Sequence, residues 1–87
     1  MKKIKIVEVD EKGLESLIGE RVLIMCANYF YSGILTGVNA TFVLLTDPAI
    51  VFETGEFGAK VFKDEQKLHA KTWYIQTQAI ESFGVGK

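Results

Sequence analysis

The sequence predicts a mainly β fold, a small and sharply bent barrel led by one short helix. Three observations carry that expectation. A brief apolar segment containing Leu14, Leu17 and Ile18 stops at Gly19 and runs into the apolar stretch Val22-Leu23-Ile24-Met25-Cys26-Ala27. A second strand follows with two glycines four apart, Gly33 and Gly37, where a bend or a close backbone approach is expected. Beyond it, strand-length apolar segments alternate with polar or glycine breaks.

Each element has its own reason. Residues 1–9 read as an N-terminal strand or extended arm, because Ile4 and Ile6 alternate with Lys3 and Lys5. Asp10 is placed to cap a helix beginning near Glu11, its carboxylate accepting from the free donors of the first turn. Leu14, Leu17 and Ile18 then share one face, and Gly19 supplies a left-handed stop. Gly13 weakens such a helix by roughly 1 kcal/mol, so it must lean on the barrel.

Residues 22–27 form the first strand, apolar on both faces as suits a barrel. Asn28 is the turn residue, since asparagine tolerates positive φ. Residues 29–38 make the second strand and residues 39–41 a polar break. Residues 42–45 return to strand, Asp47-Pro48 marks a break or an edge, and residues 50–54 resume. Gly55-Glu56-Phe57-Gly58 is a loop, with the strand pattern continuing over residues 59–62. Residues 63–71 are the most polar stretch, a solvated hairpin tip or a disordered loop. Residues 72–77 and 79–83 are closing strands, and residues 84–87 a flexible tail. Residues 1–87 form one domain, with no internal repeat or linker.

Composition narrows the function. A chain of 87 residues buries only about 60–65% of its unfolded surface. With 48% hydrophobic residues, more apolar surface is present than one small core hides, and association with further copies is its natural outlet. The formal net charge is −1, without the basic excess of a general nucleic-acid binder. Any RNA contact is therefore local. Cys26, the single cysteine, sits in an apolar run and reads as a buried core thiol. It forms no disulfide within the chain and starts no metal site. No apolar segment approaches the ~20 residues of a membrane span, and Met1-Lys2-Lys3 leads into alternation rather than a secretory apolar region. A cytoplasmic, reduced protein is expected, which leaves the glycosylation sequon Asn39-Ala40-Thr41 idle.

The segment Gly33-Ile34-Leu35-Thr36-Gly37-Val38-Asn39, after a helix and a strand, resembles the first motif of the Sm/LSm family, with Asn39 where that family usually has aspartate. The apolar frame of Trp73-Tyr74-Ile75-Gln76-Thr77-Gln78-Ala79-Ile80-Glu81-Ser82-Phe83 is similar to its second motif. Together these cover most of the chain from Leu14 to Phe83. The resemblance implies a strongly bent, five-stranded open barrel of the Sm-like (SH3-like) kind with a short N-terminal helix. It also implies a homo-oligomeric ring of about five to seven subunits, closed head to tail by pairing of edge strands.

In RNA-binding relatives an aromatic or Met side chain in the first-motif loop stacks on a base beside an asparagine, and an Arg-Gly pair in the second motif completes the pocket. An ungapped reading places Phe42 at the stacking position and Val43 where asparagine belongs. A shorter loop leaves Ala40 and Thr41 there. Gln76-Thr77 replaces Arg-Gly, which removes a fixed cation and its stacking on bases. The RNA-binding residues this implies are Asn39, Thr41, Phe42, Gln76, Thr77 and Gln78. Phe42 stacks, the glutamines hydrogen-bond a base, and Asn39 orients the loop.

Other candidates give no chemistry. His69 lies among lysines without a Ser or Cys nucleophile pattern. No acidic pair has acid–base spacing. Gly55-Glu56-Phe57-Gly58 lacks the ending of a phosphate loop. Trp73, Tyr74 and the run Tyr29-Phe30-Tyr31 read as core and interface anchors before base platforms. Lys60, Lys63, Lys67 and Lys71 make a basic fringe diluted by Asp64 and Glu65.

The expected function is therefore non-enzymatic: a ring that binds single-stranded RNA, without cofactor, metal or membrane. The alternative is a structural or adaptor ring, with a virus as one expected source, that binds proteins rather than RNA. A third reading is another small barrel, SH3-like or oligonucleotide-binding.

Overall fold

The computed structural model describes residues 13–86. The N-terminal arm, the Asp10 cap, the helix start near Glu11 and Lys87 lie outside the described residues. The fold is mainly β: six antiparallel strands in one open sheet. They are β1 (Arg21–Cys26), β2 (Phe30–Val38), β3 (Phe42–Glu53), β4 (Asp64–Lys67), β5 (Thr72–Gln76) and β6 (Ile80–Val85). Their order is β4-β3-β2-β1-β6, with β5 beside the first half of β3.

The leading segment is a single 3-10 turn, Gly13–Leu17. Leu14 and Leu17 pack on the core, but Ile18 is half exposed, because the tight turn does not hold the three residues on one face. Gly19 has φ +95°, the left-handed stop expected of it. Its N–H donates to the Leu35 carbonyl at 2.8 Å, so the stop is already tied to β2.

In β1, Val22, Ile24 and Cys26 are buried and alternate with half-buried Arg21, Leu23 and Met25. The turn closes by a bond from Cys26 N to Tyr29 O at 3.0 Å. Asn28 sits there without positive φ, so its turn role needs no left-handed backbone. The core comprises Val22, Ile24, Cys26, Leu35, Val43, Leu45 and Ile75. Burial pushes the Cys26 thiol up from its ordinary pKa, which keeps it protonated and inert.

The bend lies where β2 crosses β3. Ser32 pairs with Ala49 and Ile34 with Thr46, so Gly33 alone opposes both Asp47 and Pro48. Asp47 adopts φ +49°, the left-handed conformation of a bulged residue. Asp47-Pro48 is thus not a break: β3 runs through it as one strand of 12 residues. A second bulge places Thr36 as the extra residue between Leu35 and Gly37.

Three further expectations are corrected. The polar stretch is not a loop throughout, because Asp64–Lys67 pairs with the second half of β3. Residues 59–62 form no strand, and the loop extends through them. Gly84 and Val85 are not tail residues: they pair with Leu23 and Val22, and Gly86 N donates to Arg21 O at 3.0 Å. The count of six strands rather than five arises because β4 and β5 occupy successive halves of the same β3 edge.

Side chains fasten β4. Ser32, 1% exposed, donates through Oγ to Glu65 Oε2. Asp47 accepts from Lys67 Nζ at 2.9 Å and from Arg21 Nη1 at 3.2 Å. Among the described residues no helix is long and apolar enough to cross a membrane.

Candidate functional site

Asn39 begins the loop between β2 and β3. Its side-chain oxygen accepts from the backbone N–H groups of Thr41 and Phe42, both at 2.7 Å, and its own N–H donates to the Phe42 carbonyl at 2.9 Å. Such an Asx turn fixes the loop locally. The carboxamide oxygen of Asn39 is thereby engaged within its own loop.

Phe42 follows as the first residue of β3, directly opposite Gln76 at the end of β5. Opposed residues share a face of the sheet, so both side chains stand on one side. Phe42 is 39% exposed and rests edge-on against Tyr74, with ring centroids 5.8 Å apart at 72°. It is outside the core cluster.

A second 3-10 turn, Thr77–Ala79, connects β5 to β6. Thr77 joins it to the first loop through both its backbone N–H and its hydroxyl. Its N–H donates to the Thr41 carbonyl at 2.9 Å, and its hydroxyl donates to the Ala40 carbonyl at 2.8 Å. Thr77 thus acts as a clamp between loops rather than as a free donor. A cleft of about 220 Å³ opens there, lined by Ala40, Thr41, Gln76, Thr77 and Gln78.

Four of the six expected site residues line this cleft, Thr41, Gln76, Thr77 and Gln78; Asn39 holds the adjoining loop, and Phe42 stands opposite Gln76 without lining it. The cleft holds hydroxyls and carboxamides but no charged side chain among its described lining residues. The expected lysine fringe does not supply that charge. Lys63 pairs with Glu53 at 3.3 Å and Lys67 with Asp47 at 2.9 Å, both beside β4.

Tyr74 was not among the expected site residues, yet it is 62% exposed and supports Phe42. Alternation carries the signal: Ile75 is buried, so the preceding residue faces outward. His69 is exposed in the connection between β4 and β5. Among the described residues no cluster of His, Cys, Asp and Glu is fit to hold a metal. No model of a known protein family matches this sequence, and no curated protein matches it well enough to count as a relative.

Proposed function

We propose that this chain is an Sm-like, ring-forming protein that holds single-stranded RNA without catalysing a reaction, in a reduced cytoplasmic setting. One observation carries the reading. The clamp from Thr77 to Ala40 and Thr41 joins two loops into one rim, with the half-exposed ring of Phe42 beside Gln76. An aromatic face flanked by carboxamides can stack a base and read its edge. The strand order, with β6 at one edge and β4 and β5 at the other, supports ring closure. Among the described residues both edges carry backbone groups without a strand partner, and head-to-tail pairing around a closed ring would satisfy them. Bending of β2 at Gly33 and Thr36 supports the finer reading of the sheet as a barrel.

The test is fluorescence anisotropy of a labelled oligouridine, with native mass spectrometry for the subunit count. A ring of about five to seven copies that binds oligouridine is expected. A stable monomer at micromolar concentration removes the ring, and with it most of this reading.

A specific observation favours the adaptor alternative. Phe57 and Val61 stand 76% and 72% exposed on the loop between β3 and β4. Exposed apolar side chains of that size suit a protein partner. Protein purified free of nucleic acid, by its absorbance ratio, and unable to bind oligouridine would leave the adaptor reading in place.

A further inference from the structure

Two clefts flank the Thr77–Ala79 turn, and Gln76 and Gln78 border both. The smaller belongs to the rim. The larger, roughly 500 Å³, lies between the turn joining β1 to β2 and strand β5. Four aromatic side chains line it: Tyr29, Tyr31, Trp73 and Tyr74. Asn28 adds a third carboxamide to those of the two glutamines. No charged side chain lines this cleft among the described residues.

We infer that this larger cleft is a second nucleobase subsite, taking the flat neutral ring of a nucleotide next to the one held at the rim. The inference rests on the RNA-binding reading above. Its chemistry selects the ligand class. Aromatic faces attract a planar ring whatever its sequence, and carboxamides can donate to and accept from a base edge. A phosphate would find no cation in the cleft, and a purely apolar side chain would make no use of the carboxamides. The Tyr31 hydroxyl adds a donor. Burial, reinforced by the neighbouring Cys26 and Tyr29, raises its pKa and keeps it protonated at neutral pH.

Tyr74 links the two sites. It lines the larger cleft and touches Phe42 edge-on, so the aromatic surface is continuous from rim to cleft. One strand of RNA can therefore place successive bases at both.

Trp73 is the only tryptophan in the chain, so its indole N–H gives a single NMR signal that reports on the cleft. Uridine and adenosine, which carry no phosphate, are expected to shift that signal saturably in the millimolar range. Tyr31→Phe keeps the ring and removes the hydroxyl, and it is expected to weaken the nucleoside about five-fold. Ribose 5-phosphate is expected to leave the signal in place. The rim is followed separately, through oligouridine binding to Phe42→Ala. Oligouridine binding by a protein whose Trp73 signal ignores nucleosides overturns the subsite and spares the rim. A nucleoside response in a protein whose oligouridine affinity survives Phe42→Ala supports the subsite and removes the rim. An equal shift with ribose 5-phosphate overturns the assignment to a base. So does a saturable response to a proline-rich peptide with none to nucleosides, which gives the cleft to a protein segment.

Discussion

The Thr77 hydroxyl donates to the Ala40 carbonyl at 2.8 Å, joining two loops 37 residues apart in sequence. The same residue's N–H donates to the Thr41 carbonyl at 2.9 Å, and its hydroxyl also lies 3.2 Å from that carbonyl, so the rim is closed by a shared side-chain donor and a backbone bond. A threonine placed in this way shapes the cleft while having its donor engaged. On the proposed RNA-binding reading, its contribution would be to hold the carboxamides of Gln76 and Gln78 and the ring of Phe42 in one arrangement.

Thr77→Val keeps the shape and removes the hydroxyl. It should cost about 0.5–1.5 kcal/mol of stability, the worth of one hydrogen bond, while the backbone bond to Thr41 persists. Oligouridine affinity should fall with it, and Thr77→Ser should restore both. Urea unfolding and anisotropy on the two variants check this. Serine behaving like valine would mean that the methyl group, not the hydroxyl, holds the rim.

Gly33 and Gly37 look alike in sequence and differ in the fold. A Cβ on Gly33 would lie 3.1 Å from both Leu45 Cβ and the Thr46 carbonyl oxygen. Leu45 is fully buried and held in the ladder, so neither neighbour can give way easily. Gly33→Ala should therefore destabilise by about 1–3 kcal/mol. A Cβ on Gly37 meets Leu44 Cβ at 3.6 Å, an ordinary contact. Gly37→Ala should be neutral or stabilise by about 0.4–1 kcal/mol through the unfolded chain. Equal losses for both in urea unfolding would contradict the placement of the bend at Gly33.

These contrasts mark how far the chain could be read locally. The stop at Gly19, the alternation of Val22, Ile24 and Cys26, and a tight approach at Gly33 are local consequences of residue type. Asp47-Pro48 is different, because the pair punctuates in most contexts. Here it is a bulge, and only the pairing of β3 against Gly33 decides that. β4 is Asp-Glu-Gln-Lys, with no apolar residue to mark a strand. Its place comes from β3 and from the bonds of Glu65 to Ser32 and Lys67 to Asp47. At the site, the polar break at residues 39–41 was legible, whereas the 3-10 turn Thr77–Ala79 takes in both Thr77 and Ala79, which read as strand. The support of Phe42 by Tyr74 depends on the register of Phe42 opposite Gln76, which no local pattern contains.

Asp47 gives the fold a pH dependence of known sign. The hydrogen bond and charge of Lys67, with Arg21 adding to them, hold its carboxyl below the ordinary aspartate pKa. A depressed folded pKa means stability that is present above the unfolded value and lost as pH falls through the folded one. Asp47→Asn keeps a residue that tolerates positive φ and removes the charge. Its stability deficit relative to the parent should therefore be greatest near neutral pH and shrink on acidification below the ordinary aspartate range. The deficit should also shrink at high salt, because the group is exposed and screened. Urea midpoints of both proteins at neutral and acidic pH, with and without salt, measure it. A deficit that grows on acidification would reverse the assigned sign.

Phe42 separates packing from recognition within one side chain. It is 39% exposed and touches Tyr74 by its edge, so truncation leaves no enclosed cavity. A fully buried phenylalanine would cost about 3–5 kcal/mol on truncation. Phe42→Ala should cost clearly less and leave the oligomer intact. A base stacked on the same ring would contribute about 1–3 kcal/mol, so oligouridine affinity should drop by that amount in the folded variant. The lost affinity should be nearly independent of salt, because stacking releases no counterions, whereas a lysine-driven site would weaken steeply as salt rises. Unfolding, native mass and anisotropy on this single variant therefore give distinct answers. A folded Phe42→Ala ring with parental RNA affinity would remove Phe42 from the interface. A stability loss matching the fully buried figure would assign the ring to packing instead.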